Sequence, residues 1–383
     1  MKKVLFGFLM FAAMMTPLVL TSCDDDAEEK EVPKEEEKEL VGTITEARTL
    51  DATVEYLLTG PVIVQDGGTL NIPAGTVIKA EKGFDKYILV LRGGKINVNG
   101  TAVAPVTITA DTDDAKQGHW GGLIINGKAP LSGGTEGTTE INADHKYGGT
   151  NVSDNSGTIT YLKLEYTGAR SDADVEHNGL TLNGVGNGTK IENVYIPYGA
   201  DDAIEFFGGS VNVKNFLAVD PDDDMFDFTQ GYSGTLENAY GIWQTGYVST
   251  ESDPRGIEAD GNLDGNNPTQ TGQSDFTVKN MTIDLRLAPS TAEGNYMHDV
   301  IKVRRGAKAT IENALVIGRG QAKDLIDVND GKGAGDATTT ISITNKLSTP
   351  LSGVKLNGTA TVTEEEANTG CATGIFSWTG YEF

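Results

Sequence analysis

The chain has 383 residues, 48 of them glycine, and is 38% hydrophobic but only 7% aromatic. That is too apolar for a disordered chain and too rich in Gly, Asn and Thr for a helical one. A formal charge of -25 argues against nucleic acid as a partner, because so acidic a surface repels phosphate, and it leaves cations welcome.

Met1-Lys2-Lys3 is a basic start, and the apolar run Val4 to Leu20 is short for a membrane span. Residues 1–22 therefore read as a secretory signal. Leu20-Thr21-Ser22-Cys23 resembles a bacterial lipobox, which implies cleavage before Cys23 and lipid chains on that residue. More than one acyl chain anchors a protein stably to a membrane. Residues 24 to 39 carry ten acids and three lysines, a net of -7. Such a run cannot collapse, so residues 23–45 are assigned as a solvated tether. The acids also resemble a signal that sends some lipoproteins to the outer face of the outer membrane. An acid directly after the cysteine, here Asp24, can instead hold a lipoprotein in an inner membrane. The longer run favours the cell surface. Removal of Cys23 from thiol chemistry leaves Cys371 without an internal disulfide partner, so stability must come from packing. The four histidines, His119, His145, His177 and His298, show no metal-ligand spacing.

From about Gly42 short apolar-polar-apolar triplets recur between Gly, Asn and Asp, as in Val62-Ile63-Val64 and Ile96-Asn97-Val98. This is strand periodicity with frequent turns. Two templates repeat. One is apolar, charged, Asn, apolar, at Ile191 to Val194, Val213 to Phe216, Leu236 to Ala239, Val278 to Met281 and Ile311 to Ala314; its asparagines are 22, 23, 42 and 33 residues apart. The other precedes each copy: Leu180-Thr181-Leu182, Ile204-Glu205-Phe206, Phe226-Asp227-Phe228, Ile257-Glu258-Ala259 and Ile301-Lys302-Val303. Self-similarity at this interval predicts a right-handed parallel β-helix over residues 46–365, the longer intervals being one turn plus an insertion. Equivalent residues then stack ~4.8 Å apart. Repeated asparagines pair amide to amide along the stack.

"AGTVIKA", "LRGGKINVNGTAVAPVTITAD", "HWGGLIINGKAPL", "DDAIEFFGGSVNVKNF" and "DDDMFDFTQG" together resemble a family of bacterial secreted or lipid-anchored β-helix proteins of the pectin-lyase-like superfold, over roughly residues 50 to 340. The resemblance implies the fold and leaves the activity open, since the superfold includes polysaccharide lyases, hydrolases, phage tailspikes and adhesins. Open solenoid ends need covering. Residues 46 to 60 are expected to form the first cap and the aromatic tail, within 366–383, to close the other end. Cys371, just before that tail, reads as a buried, inert thiol.

In the second template the flanking apolar residues point inward, so Glu205, Asp227 and Glu258 point out and stack in one column, followed by Lys302 and Asp327. Like charges at that spacing repel by roughly 0.9 kcal/mol even in bulk water. Asp201 and Asp202, then Asp222, Asp223 and Asp224, crowd the turns before the strands. Asp260-Gly261-Asn262-Leu263-Asp264-Gly265 resembles half a calcium loop, but Thr271 stands where the closing Glu belongs. Oxygen donors at such density suit Ca²⁺ better than a transition metal. Three readings stay open. The acids are a solvated face balanced by Lys302, Arg304 and Arg305; or they bind structural Ca²⁺ through Asp201, Asp202, Asp223, Asp224, Asp260, Asn262 and Asp264; or they form a catalytic or sugar-binding site. In lyases of the resembled superfold, acids hold Ca²⁺ and a neighbouring base abstracts a proton; here Lys302 or Arg304 would be that base. In hydrolases paired acids suffice.

Insertions fall near 245 to 256, 261 to 275 and 286 to 298, and solenoid insertions often gather on the functional face. Trp243, Tyr247 and Tyr296, in or beside them, are candidates to stack on sugar rings. Trp120 reads as structural. The expectation is a lipid-anchored outer-membrane protein, facing the cell exterior, that binds a polymeric ligand, foremost a glycan, with Ca²⁺ as its cofactor. The alternatives are a lyase or, second, a hydrolase, and an adhesive protein contacting another surface protein.

Overall fold

A computed structural model describes residues 38–134, 136–171 and 175–383, with the backbone alone for Asp264. The expected signal segment, Cys23 and the acidic run up to residue 37 lie outside the described residues. Among the described residues twenty-four strands join in one sheet whose pairings are parallel, and it winds as a right-handed β-helix. A separate two-stranded antiparallel hairpin, Gly137–Thr139 with Asn142–Tyr147, projects from it.

The strands stack on three faces. One runs from Ala47–Thr49 through Thr69–Pro73 and Lys95–Asn99 to Thr361–Glu364. A second adjoins it, because strands such as Lys190–Pro197 and Thr235–Trp243 turn a corner midway. At that corner stand Asn193, Asn215, Asn238, Asn280 and Asn313, all left-handed, with φ of 61, 59, 59, 53 and 56°. Asn accepts this backbone better than most residues. From Asn215 onward each side-chain nitrogen donates to the side-chain carbonyl of the asparagine one turn before it, at 2.8 to 2.9 Å. The predicted ladder thus also turns the chain. The third face holds Leu123–Asn126, Leu180–Asn183, Ile204–Phe207, Phe226–Thr229, Arg255–Ala259, Met297–Lys302 and Ala322–Asp327.

Inside, the stacking produces columns of like residues. Ile204, Phe226, Ile257, Ile301 and Ile326 are all buried. Phe206, Phe228 and Phe276 form a stack with centroids 5.0 and 4.1 Å apart. Trp120 is buried and donates its ring N–H to the Glu165 carbonyl at 2.8 Å. Full burial of one such apolar side chain contributes about 1.5–3 kcal/mol.

The ends differ from expectation. Strand Glu39–Ile44 already pairs with Glu55–Val64, so the solenoid begins within the stretch assigned to the tether. Leu40 and Ile44, buried although acids surround them in sequence, carry that strand. Residues 46 to 60 belong to the first turns rather than to a separate cap. The tail lies along the side of the solenoid and not across its last turn. Its 3-10 segment Thr373–Thr379 sets Phe376 and Trp378 on Tyr195, Leu217, Val219, Tyr240 and Ile242. Trp378 meets Tyr161 edge-on at 5.3 Å, and Lys163 Nζ donates to the Thr379 carbonyl at 2.6 Å. The cause is local: these strands are apolar on their outer side as well, and that side needs a cover. The tail also ends the ladder, since Asn313 Oδ1 accepts the Thr369 N–H at 2.8 Å. Cys371 is buried beneath it, and burial pushes its thiol up to about 12. The last edge is blunted instead by charge, with Lys355 and Glu364 paired at 3.2 Å.

Candidate functional site

On the third face each turn carries two outward positions three residues apart. The residues between them, such as Ala203 and Ile204 or Met225 and Phe226, both turn into the core at a bend in the backbone. The later position stacks Thr181, Glu205, Asp227 and Glu258 in register. Ile257 opposite Ile301 sets Lys302 next, and Lys302 pairs with Asp327. The earlier position stacks Asp202, Asp224, Arg255, Asp299 and Asp324: Ala203 N–H donates to the Asp224 carbonyl, Met225 N–H to that of Arg255, and Arg255, Asp299 and Asp324 are in direct register. The predicted acidic column is therefore one half of a two-column grid.

The early part of the grid faces a cleft of about 520 Å³, walled on the other side by the hairpin through Thr138, Glu140 and Ile141. Tyr147 anchors the hairpin by donating to Gln230 Oε1 at 2.6 Å. Asp201, Asp202, Glu205, Asp223 and Asp227 line the cleft with Glu140 and Glu176; no Lys or Arg is among the described lining residues. Oxygens of Asp201, Asp202 and Asp223 lie within 4.8 Å of one another, as do those of Asp202, Glu205 and Asp227, and those of Asp224, Asp227 and Glu258. Burial first, and neighbouring carboxylates second, hold Asp201, Asp202 and Glu205 well above the usual carboxylate range. Burial also raises Asp224 well above that range, Asp223 to about 7 and Asp227 to about 8, in each case partly offset by Arg255 and, for Asp227, by Arg304. Asp201 hydrogen-bonds the Glu176 carboxyl, which requires a proton on one of the two.

Only some of these oxygens have protein donors. Asn178 Nδ2 donates to Glu205 Oε2 at 2.6 Å, and the Asp224 N–H donates to Asp202 Oδ1 at 2.9 Å. The Oδ1 atoms of Asp223 and Asp227 are inaccessible and have no hydrogen-bond partner among the described residues. Orphaned carboxylate oxygens are costly. A separation of up to 4.8 Å is what two oxygens span across a Ca²⁺ at about 2.4 Å from each. The hard, all-oxygen donor set and the two orphaned atoms fit that ion.

The other part of the grid neutralises itself. Arg255, buried, contacts Asp253, Glu258 and, at 3.2 Å, Asp299. Arg304 reaches Glu258 and, at 3.1 Å, Asp260. Arg305 pairs with Asp330 at 3.1 Å and Asp260 at 3.5 Å. Lys302 Nζ sits 2.6 Å from Asp327 and donates to the Asn329 carbonyl at 3.0 Å. Burial beside Arg255 and Arg305 lowers Arg304 to about 10.

The structure brings Glu205, Asp227, Asp201, Asp202 and Asp223 to the cleft. Asp224 sits buried behind it, its Oδ1 accepting the Arg255 N–H at 2.6 Å. Glu258, Lys302 and Arg304 do not line it and are engaged in the ion pairs above. The balance of charge expected from Lys302, Arg304 and Arg305 thus reaches Glu258 and the acids beyond it, and Lys302 serves Asp327. The half calcium loop is also corrected. Asp260 is held by two arginines, and Asn262 is wholly buried, donating to Gln273 Oε1 at 3.0 Å and accepting the Asn267 N–H at 2.6 Å. Both residues pin their own loop; the Asp264 side chain lies outside the described residues. Trp243 is buried with its N–H on the Pro221 carbonyl at 3.1 Å, and the Tyr247 hydroxyl donates to Asp222 Oδ1 at 2.8 Å, so both pack down their own insertion. Tyr296 is half-buried just before Met297–Lys302 and does not line the cleft. Of the three insertions, 261 to 275 reaches the cleft, through Leu263. Sequence reasoning missed Arg255, Asn178, Glu140 and Glu176. Arg255 was recoverable, since it holds the template position of Asp202 and Asp224.

A family model described as a pectate-lyase like beta helix domain matches residues 42–380. No curated protein and no solved structure matches the chain.

Proposed function

The chain belongs to the pectate-lyase-like β-helix family, and we propose that its acidic cleft holds Ca²⁺ and through it binds an anionic glycan. Family membership supports a glycan-related or structural role. The observation that carries the finer reading is the convergence of Asp202, Glu205, Asp223 and Asp227 on one cleft, with two oxygens orphaned and no cationic side chain lining it. Bare, such a cleft repels an anionic polymer. A bound Ca²⁺ offsets part of that charge and leaves coordination positions open for a sugar carboxylate or hydroxyl. The lipobox at Leu20 to Cys23 supports anchoring at the outer membrane, facing outward, where polymeric glycans are met.

The test is a glycan array probed with the full chain and with the Asp227→Asn variant, each with Ca²⁺ and with EDTA. Binding that needs both the ion and Asp227 supports the reading. Glycan binding unchanged by EDTA, or no binding to any acidic glycan in Ca²⁺, removes it.

Cleavage is the second reading, favoured by one observation. With its carboxyl raised to about 8, Asp227 keeps its proton at neutral pH beside other carboxyls, as a general acid must. Hydrolysis fits better than elimination, which reverses the order expected from sequence, because Lys302 and Arg304 are both committed to ion pairs. Release of reducing ends without a rise in ultraviolet absorbance would identify it.

A further inference from the structure

Further along the grid, on the turns after Arg255, three more acids meet: Asp299 on Met297–Lys302, and Asp324 and Asp327 on Ala322–Asp327. Asp299 and Asp324 are in direct register, and Asp327 is the outward residue beside them. All three are buried, Asp299 completely and the others at 7% exposure, and one oxygen from each lies within 4.8 Å of the other two. None of the three lines the cleft described above.

Their hydrogen bonds orient them and leave a gap. Asp299 Oδ2 takes Arg255 Nε at 3.2 Å and His298 Nδ1 at 3.0 Å. Lys323 Nζ lies 2.9 Å from His298 Nε2, so that nitrogen is the acceptor and Nδ1 the donor to Asp299. Asp324 Oδ1 accepts the Ser352 hydroxyl at 2.5 Å, and Asp327 Oδ1 the Asn329 N–H at 2.9 Å. Asp299 Oδ1 is inaccessible and has no partner among the described residues. A completely buried carboxylate with one oxygen fully engaged and the other orphaned is what a missing cation leaves behind. Lys302 answers Asp327, Arg255 is shared among Asp253, Glu258 and Asp299, and Arg304 also reaches Glu258, so three cations face five carboxylates and Asp324 has no ion pair among the described residues.

We propose that Asp299, Asp324 and Asp327 form a second divalent-cation site, of the all-oxygen kind that suits Ca²⁺, that is separate from the cleft and clamps adjacent turns of the solenoid together. Oxygens within 4.8 Å of one another can share one Ca²⁺ at about 2.4 Å from each, and an all-carboxylate donor set suits that hard cation. Lying outside the cleft, the ion has a structural role: it adds a crosslink between strands already joined by backbone bonds and by the Lys302–Asp327 pair.

The experiment counts Ca²⁺ bound per full chain by equilibrium dialysis with Ca²⁺ alone, and compares Asp324→Asn with Asp202→Asn. Asp324→Asn is expected to weaken one class of site roughly 10- to 100-fold, the loss typical of disturbing a metal's ligand shell, and to leave the class removed by Asp202→Asn intact. If the cleft binds no ion, Asp202→Asn changes nothing while Asp324→Asn still removes the binding, so the two readings fail separately. Unchanged Ca²⁺ binding in folded Asp324→Asn overturns the second site. Should that variant not fold, crystals of the unaltered chain soaked in Sr²⁺, a Ca²⁺ analogue, decide: an anomalous peak among the three carboxylates upholds the site, and its absence there overturns it.

Discussion

The raised carboxyls of the cleft make a prediction about pH that runs opposite to ordinary acid denaturation. Asp227 titrates at about 8 in the folded chain against an ordinary 3.8, and Asp223 at about 7. Between those limits the folded state holds protons that the unfolded state has released, so stability is complete at low pH and is lost as pH rises toward the folded value. Each such group costs about 1.4 kcal/mol per pH unit. From about pH 5.5 to 7.5, Asp227 contributes roughly 2.7 kcal/mol and Asp223 roughly 2 kcal/mol of destabilisation. With an unfolding entropy of about 2.1 cal/mol/K per residue over about 340 residues, the two together lower Tm by roughly 6 °C. The carboxyls held low by partners, Asp85, Asp253, Asp299, Asp330 and Asp336, act below the ordinary carboxylate range, while buried His177, lowered to about 4, gains stability as pH rises toward 6.5 and offsets roughly 1.4 kcal/mol of the fall. The assay is thermal unfolding followed by circular dichroism across that window, in EDTA and in Ca²⁺. In EDTA Tm should fall with pH. Asp227→Asn should shed about one proton of that slope, and Ca²⁺, which binds the ionised form, should flatten it. A Tm in EDTA that is level or rises between about pH 5.5 and 7.5 would refute the electrostatic account of the cleft.

Two further outcomes follow from the packing. Asn238→Ala removes two ladder bonds, at 2.8 and 2.9 Å, and leaves Ala at a left-handed φ of 59°, a loss of roughly 3 kcal/mol, whereas Asn238→Gly loses the bonds alone, roughly 2 kcal/mol; urea unfolding that ranks the two variants equal would show that the corner conformation carries no strain. Arg255→Met takes the guanidinium from buried Asp299 and leaves Glu258 to Arg304 alone, and should cost roughly 3–5 kcal/mol at neutral pH, measured by the same unfolding; a loss under about 1 kcal/mol would mean that the buried arginine is not what neutralises the centre of the grid.

The parts of this architecture that run along the solenoid were legible in the sequence, because registry is written there as spacing. The distances between Asn193, Asn215 and Asn238 are turn lengths, and the positions of Glu205, Asp227 and Glu258 within their triplets give their common face. What crosses the solenoid was not legible. Nothing in the spacing of Trp378 says that it returns to Tyr161, more than two hundred residues back. The same holds for the hairpin of Gly137–Thr139 and Asn142–Tyr147, which interrupts the repeat and becomes the wall of the cleft. Trp243 and Tyr247 were ambiguous in the sequence for a related reason. An aromatic residue in an insertion looks alike whether it serves a ligand or its own loop, and only the carbonyl of Pro221 and the carboxylate of Asp222 distinguish the two. Arg255 is the exception, a miss that attention to the position three residues before each acid would have prevented.

The grid also explains why one fold can hold a reactive surface without distorting its core. Stacking at strand spacing multiplies whatever a turn displays, so an outward acid repeated on successive turns accumulates charge faster than solvent screens it. There are two remedies, and this chain divides them along its axis. Where Arg255 and Arg304 enter the grid, the charge is answered by side chains whose donors are already spent on Glu258, Asp260 and Asp299, and nothing is left to recognise a ligand. Around Asp202, Glu205 and Asp227 the residues lining the cleft bring no such cation, so their charge must be met by protons or by an ion. Both of those can exchange with solvent or share a coordination position with a sugar, which a buried guanidinium cannot. The placement of Arg255 therefore separates a stretch of the solenoid that is built to be inert from one that remains open to ligands.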